Sequence, residues 1–599
     1  MKKTRQLQLM ADKLRIHSII STTAAGSGHP TSCLSCAEII SSLFFSKMKA
    51  GDEFILSKGH AAPILWAAYA EAGLIDPDEL MNLRKVDSML EGHPSFRMPM
   101  VRTATGSLGQ GLATGTGMAM AMKLGDSGAM VYVLLGDSEC SEGSVWEAAN
   151  AASFHRLDNL VAIIDCNRLG QTGETMFGHR LENYQQRFRA FGWETSVIDG
   201  HNIDQILSSV EEADRSSKPF AIIAKTFKGR GVTFLEDREG WHGKPVPDEK
   251  LEEALSELGD PQVKLESQIR EKSFSFQHID FEPNRYGIGD MVATRDAFGN
   301  ALVSLGRKNP KVVAVDAEVG NSTRTEAFFR EFPERSFQAF IAEQEMAGIA
   351  GGLSALGYIP FAATFAAFWT RAHDFIRMAA YSRANIKFAG SHAGVSIGQD
   401  GPSQMGLEDI PMFSSIPGAV VLYPCDAVST GKLVGALSRH QGISYIRTTR
   451  GKTPVIYGNE EEFPLGGLKI LKRSDQDQAL VIAAGITVHE ALGAHIELAE
   501  SGIYIRVIDL YCIKPLDEKE LIRNAAECGN RVIVVEDHYS GGIGAGVAKA
   551  VGKIDHLYVR DLPRSGKPQE LRKKYRIDSS AIIKVVRGEE KSPTPGEML

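Results

Sequence analysis

The chain has 599 residues, too many for one hydrophobic core and enough for about three or four domains. Hydrophobic residues at 43% and charged residues at 23% exclude wholesale disorder and fibrous architectures. The net charge of −8 is spread without a long run of one sign, so it offers no footprint for nucleic acid or anionic lipid and favours a small-molecule partner.

The basic N-terminus MKKTRQLQLMADKLRI is not followed by an apolar signal region. The longest apolar stretch, around Phe361 to Trp369, is far short of a membrane span, and the C-terminal GEML is no peroxisomal address. A cytoplasmic location is expected. The seven cysteines are odd in number, and Cys33-x-x-Cys36 has no second pair at zinc-ribbon spacing, which points to reduced thiols.

Helical patterns over Gln6 to Thr22, Ser35 to Ser46 and Pro63 to Ala72 are followed by the strand-like runs MVYVLLGD, LVAIIDCN and FAIIAKTF, ending at Asp137, Asn167 and Phe227. Such continuous apolar runs predict a parallel sheet covered on both faces. A polar segment from about Pro247 to Asp290, with one amphipathic helix, marks a domain boundary. Alternation resumes with KVVAVDAE, a helix over Gln344 to Ala355 and the strand YIPFAATF, and again from near Leu468 with QALVIAAG, IYIRVIDL and RVIVVEDH. The predicted class is α/β, with three successive α/β domains and mainly parallel sheets, over 1–270, 285–455 and 468–599.

In open parallel sheets ligands sit beyond the carboxyl ends of strands, so the polar residues there carry the chemistry. Asp137, in Gly136-Asp137-Ser138-Glu139, and Asn167, in DCNRLG, stand at two such ends and pair as oxygen ligands for Mg²⁺; a plain turn is the alternative. Thr105-Gly106-Ser107-Leu108-Gly109-Gln110-Gly111 opens a helix-like stretch, where a Gly-rich turn presents N–H groups to a diphosphate or simply packs tightly.

Five histidines lie in Gly-rich or Pro-flanked loops: His29, His60, His93, His242 and His392. One loop histidine often caps backbone groups; five suit proton shuttling among the hydroxyls of a polyol. Glu343 begins an apolar helix, where a first-turn carboxylate is also favoured by the macrodipole. Lys228, Arg295, Arg447 and Arg450 are loop cations suited to phosphate or to solvent.

Taken together, SKGHAAP, ATGSLGQG, SEGSVWEA, NRLGQ, AKTFKGRG, EGWHGKP, TFAAF, GSHAGVSIGQDGPSQM, IRTTR, VEDHYSGGIG and LPRSGKP, in this order over nearly the whole chain, resemble the transketolase family, its animal-like branch in particular. The resemblance implies a thiamine diphosphate enzyme of the pentose phosphate pathway. Such an enzyme moves a two-carbon ketol unit from a ketose phosphate such as xylulose 5-phosphate to an aldose phosphate such as ribose 5-phosphate or erythrose 4-phosphate, by way of a carbanion on the cofactor. It implies diphosphate-binding, pyrimidine-binding and C-terminal domains, and a homodimer with active sites at the subunit interface.

By position it implies Asp137, Asn167 and the Leu169 carbonyl as ligands of Mg²⁺, or of Ca²⁺ or Mn²⁺ in its place. Ser32, His60, Gly106, Ser107, Leu108, Ser138, Asn167, Lys228 and His242 are implied around the cofactor, with Glu343, Phe365, Phe368 and Gln404 supplied by the partner subunit. Substrate contacts are implied for His29, His93, His242, Arg295, Ser322, His392, Asp400 and Arg450. Glu343 and the histidines 29, 93 and 242 are implied as the proton-transfer groups. One departure stands at the metal: the family's Gly-Asp-Gly is Gly136-Asp137-Ser138 here, so a hydroxymethyl group either adds a contact to the diphosphate or crowds it. Two rivals are a deoxyxylulose-phosphate synthase-like enzyme, disfavoured by the full histidine set and Arg450, and a catalytically impaired relative, for which Ser138 is the only support.

Overall fold

The computed structural model describes residues 3–271 and 281–590, which form two compact units. Residues 272–280 of the expected first boundary, and the GEML terminus, lie outside the described residues.

The first unit takes in residues 3–271 with 347–357 and 381–383. Its sheet is wholly parallel, built from β1 (Glu53–Leu56), β2 (Val131–Gly136), β3 (Leu160–Cys166), β4 (Glu194–Asp199) and β5 (Phe220–Lys225) in the order β1-β2-β3-β5-β4. Every residue of β2 and β3 is buried, as expected of apolar runs covered by helices on both faces. The helix Lys3–Ala24 buries Leu7, Met10, Ala11 and Leu14 in this core, and the helix Ala62–Glu71 is buried nearly all round. The strands stop a residue or two before their predicted ends. The side chain of Asp137 takes the amides of Ser138 and Arg168, and the hydroxyl of Thr226 turns to Asp165, so the chain leaves the ladder there.

The second unit takes in residues 281–346, 358–380 and 384–590. A seven-stranded sheet runs in the order Cys512–Lys514, Val420–Leu422, Ser444–Arg447, Lys387–Ser391, Ile359–Phe365, Val312–Asp316, Ser336–Gln338. A five-stranded sheet runs Lys469–Lys472, Tyr504–Asp509, Asp477–Ala483, Val532–Val535, Asp555–Leu557. Both are parallel except at one edge each, where Cys512–Lys514 and Lys469–Lys472 are antiparallel. The second and third predicted blocks thus share a unit for a physical reason. Cys512–Lys514 pairs with Val420–Leu422, and one buried apolar cluster runs from Ala297 through Val481 to Val586.

Among the described residues no helix is long and apolar enough to cross a membrane, and all seven cysteines are free and buried.

Candidate active site

In the first unit, β2 and β3 are neighbours with Gly136 opposite Asp165, so Asp137 and Asn167 leave the same edge of the sheet. Asp137 is buried; one oxygen accepts from the Ser138 amide at 2.8 Å, the other from the Arg168 amide at 2.8 Å and the Thr175 hydroxyl at 3.1 Å. Burial, with Asp165 adding to it, pushes its carboxyl up to about 6. Asn167 Oδ1 accepts from the Leu169 amide at 3.2 Å, and the Leu169 carbonyl accepts from Lys228 Nζ at 2.7 Å. Carboxylate, amide and carbonyl oxygens form a donor set for a hard cation completed by water or phosphate oxygens. Among the described residues no group of three or more His, Cys, Asp or Glu side chains is arranged to hold a metal. Ser138 has φ −62° and ψ −38°, ordinary helical values, and is exposed, so its side chain brings no backbone strain.

Beneath these residues lies a polar layer that the sequence did not reveal. Asp165 is fully buried, accepts from Ser35 at 2.6 Å, and is bonded by Lys58 and Thr226; Lys58 also donates to the Ser32 carbonyl at 2.9 Å. Burial works against both charges, but each outweighs it for the other, holding the Asp165 carboxyl below and the Lys58 ammonium above its ordinary range. Glu139, also buried, accepts from Ser57 at 2.5 Å, the Gly109 amide at 2.8 Å and the Gly136 amide at 3.0 Å, tying the glycine loop to the end of β2. An Asp inside LVAIIDCN reads as a strand end, and a Glu after Gly-Asp-Ser reads as solvated, so only Glu139's place in the quoted motif hinted at its role.

Four of the five singled-out histidines converge. The His29 ring centroid lies 5.2 Å from His60, 6.3 Å from His93 and 5.1 Å from His242, and His60 lies 5.4 Å from His242. Glycines make room for them. Gly28 has φ +146° and a Cβ there would stand 2.4 Å from the Thr22 methyl; Gly106 has φ +125° and its Cβ would press the His93 ring at 2.9 Å. Burial, then the neighbouring imidazole of His242 and the Arg84 guanidinium, pulls His29 down to about 3. Burial and then Lys228 pull His242 down to about 4, and burial holds His60 well below its ordinary value. His93, more exposed than the others, is lowered by partial burial and then by Arg84. Arg84, not singled out in the sequence, donates to the Ser27 hydroxyl at 2.6 Å. Lys228 Nζ lies 2.7 Å from His242 Nδ1, and burial lowers its ammonium to about 8. Ser32 is buried, and among the described residues its hydroxyl has no protein partner; the same holds for His29 Nδ1. Ser107 is half-buried and Leu108 is exposed on the glycine loop.

In the second unit, Glu343 is the first residue of the helix Glu343–Ala355 and is buried. Phe365 ends the strand Ile359–Phe365; its ring stacks on Phe368 at 5.1 Å and on His392 at 3.9 Å. Arg295 Nη1 donates to the Ser322 carbonyl at 3.3 Å and stands 3.5 Å from His392 Nε2. Burial, then Arg295, lowers His392 to about 4. Arg450 pairs with Asp400 at 2.7 Å in an exposed ion pair, and Gln404 is half-exposed beside Ser403. Arg295, Ser322, His392, Asp400 and Arg450 thus fall in one unit. Arg447 does not belong with them. It is fully buried, donates to Asp409 at 2.8 Å and to the Gly406 and Asp537 carbonyls at 2.7 and 3.0 Å, and lies over the Tyr423 ring. The phosphate role open to it from sequence is corrected to a core ion pair.

Comparison with known proteins gives three family matches: the thiamine diphosphate binding domain of transketolase over residues 6–275, its pyrimidine binding domain over 290–455 and its C-terminal domain over 468–582. The chain is 48% identical over 610 residues to transketolase of Homo sapiens, covering 98% of each chain. It is also 48% identical over 608 residues to transketolase-like protein 2 of Mus musculus, covering 97% of each. Among solved structures, a transketolase from Campylobacter jejuni superposes with a TM-score of 0.87 at 27% identity, over 98% of this chain and 99% of that one.

Proposed function

The chain belongs to the transketolase family, and from that premise we propose that it transfers a two-carbon ketol unit from a ketose phosphate to an aldose phosphate, with thiamine diphosphate held by Mg²⁺, in the pentose phosphate pathway of the cytoplasm. The domains of this reading are 1–270 for the diphosphate, 285–455 for the pyrimidine and 468–599 at the C-terminus. The active unit is a homodimer in which Glu343, Phe365, Phe368 and Gln404 of one subunit meet the cofactor held by its partner.

The residues present fit the cofactor. The orphaned Ser32 hydroxyl, the cradle of Gly106 to Leu108 and the ammonium of Lys228 suit a diphosphate, and Asp137, Asn167 Oδ1 and the Leu169 carbonyl suit its Mg²⁺. His60 and Ser138 complete that lining. The chemistry that thiamine diphosphate supplies when bound is a nucleophilic carbon and a sink for the electron pair released when a carbon–carbon bond breaks.

The chain's own groups supply the proton traffic. His29, held near 3 and uncharged at neutral pH, can accept a proton from a substrate hydroxyl and return it, whereas His242, held near 4, has its Nδ1 lone pair taken by Lys228 and offers a donor N–H at Nε2. His93 is the third member of this set. Lys228, protonated below about 8, donates to His242 Nδ1 and so leaves Nε2 as the nitrogen bearing the hydrogen. Glu343 holds the pyrimidine through a carboxyl hydrogen bond, with Phe365 and Phe368 as its apolar wall. Arg295, Ser322, His392 and Arg450 bind the distal phosphate, Asp400 reads the C2 hydroxyl configuration, and this remote binding aligns the reacting carbons.

The observation that carries the reading is the convergence of His29, His60, His93 and His242, all lowered, within 5.1 to 6.3 Å of one another where rings are in contact. The test is titration with thiamine diphosphate and Mg²⁺ followed by assay of transfer from xylulose 5-phosphate to ribose 5-phosphate. Saturable binding with transfer supports it; binding without transfer, or decarboxylation of pyruvate instead, replaces it.

A further inference from the structure

His201 follows β4 and takes no part in the site above, yet its nearly buried ring, 7% exposed, touches the segment that carries Lys228. The Phe227 amide donates to His201 Nε2 at 2.9 Å. An amide N–H can only donate, so Nε2 is the accepting nitrogen and the ring hydrogen sits on Nδ1, which donates to Glu38 Oε2 at 3.0 Å. Glu38 is fixed in turn. Arg15 Nη2 donates to its two oxygens at 2.6 and 2.8 Å, Gln8 donates at 3.0 Å, and both members of the ion pair are buried. Burial alone would raise this carboxyl; Arg15 and His201 outweigh it and hold it at about 2, so it remains an acceptor throughout the physiological range.

The relay ends one residue before Lys228. The Phe227 ring lies nearly parallel to the His201 ring, at 6.1 Å and 12°. On either side the chain is held by the Thr226 amide on the Cys166 carbonyl at 3.2 Å and by the Asp237 amide on the Lys228 carbonyl at 2.8 Å. The Lys228 side chain, alone among the cations singled out in the sequence, reaches both the Leu169 carbonyl and His242 at 2.7 Å.

We propose that His201 is a positioning residue: the relay from Arg15 through Glu38 and His201 to the Phe227 amide fixes the backbone from which Lys228 reaches Leu169 and His242. This rests on the reading that Lys228 and Leu169 face the diphosphate and its metal.

The test compares the dissociation constant of thiamine diphosphate, at saturating Mg²⁺, for the unsubstituted chain, His201→Leu and His201→Gln, with thermal midpoints of the cofactor-free proteins alongside. His201→Leu should weaken cofactor binding about tenfold, the worth of one well-made hydrogen bond. His201→Gln, whose amide can accept from Phe227 and donate to Glu38, should recover most of that loss. The KM for sugar phosphates at saturating cofactor should not move in either. Equal cofactor affinity in all three, whatever the thermal midpoints, overturns the proposal and leaves the reading of the site intact, as does a Gln variant as weak as the Leu variant. An unsubstituted chain that binds no thiamine diphosphate removes both. Hydrogen exchange at the Phe227 amide of the unsubstituted chain covers the case in which His201→Leu does not fold: slow exchange supports the relay, and exchange at the rate of an open amide overturns it.

Discussion

Lys228 Nζ and His242 Nδ1 stand 2.7 Å apart, and the direction of that bond is set by charge. An ammonium has hydrogens and no lone pair, so the imidazole accepts and is held as a single tautomer. Lys228→Met should therefore act twice. Cofactor affinity should fall about tenfold or more as the contact beside the Leu169 carbonyl is lost, and kcat should fall separately because His242 can rotate and switch its hydrogen. Calorimetric titration and steady-state rates measure the two effects; an unchanged kcat at saturating cofactor would show that the tautomer does not matter.

The lowered histidines give a pH dependence with a definite sign. An imidazole in the unfolded chain titrates near 6.5, whereas His29 is held at about 3 and His242 and His392 at about 4. Below pH 6.5 the unfolded chain thus binds protons that the folded chain refuses, so these groups favour the fold fully above 6.5 and progressively less as pH falls toward 4 and 3. The thermal midpoint should decline over that window, and His242→Gln should decline less steeply than the unsubstituted chain. Parallel slopes would contradict the assignment.

Two arginines three residues apart should behave oppositely. Arg450 sits in an exposed ion pair with Asp400, a kind of contact worth about 0–1 kcal/mol; Arg450→Ala should leave stability nearly unchanged and raise KM for phosphorylated sugars. Arg447→Ala strips the partner from buried Asp409 and should cost about 3–5 kcal/mol. Thermal melts and KM values for phosphorylated and unphosphorylated donors separate these outcomes, and an equal KM rise with both donors removes Arg450 from phosphate binding.

Glu343→Ala should reduce turnover by about 10²–10⁴-fold, the range of a single proton-transfer group. Its place at the first position of a helix leaves the helical ladder intact, so the melting temperature should shift by only a few degrees. Rate and melt together decide it: undiminished kcat takes Glu343 out of the chemistry.

The strand ends were legible because the runs VYVLLG and LVAII are almost wholly apolar and give way to polar residues. The residues next to those stops, Asp137 and Asn167, therefore could be named in advance, and the histidines were marked by their glycine neighbours. What did not show was anything whose meaning depends on distant pairing. Lys58 and Asp165 are 107 positions apart and neutralise each other only once β1 and β3 flank β2. Arg447 looks like Arg450 in IRTTR until the fold places buried Asp409 beside one and exposed Asp400 beside the other. His201 carries no local signal at all, since its partners Glu38 and Phe227 come from opposite ends of the first unit.

The three-residue strand Cys512–Lys514 has a protective consequence. It covers Val420–Leu422, which otherwise offers a fully buried Val-Val-Leu segment and its unpaired amides as a template for other chains. Being so short, and shifted in register against its neighbour, it is itself a poor template. A chain cut before Lys469 should lose that cover and precipitate by intermolecular strand pairing, even though most of the seven-stranded sheet is encoded upstream of the cut.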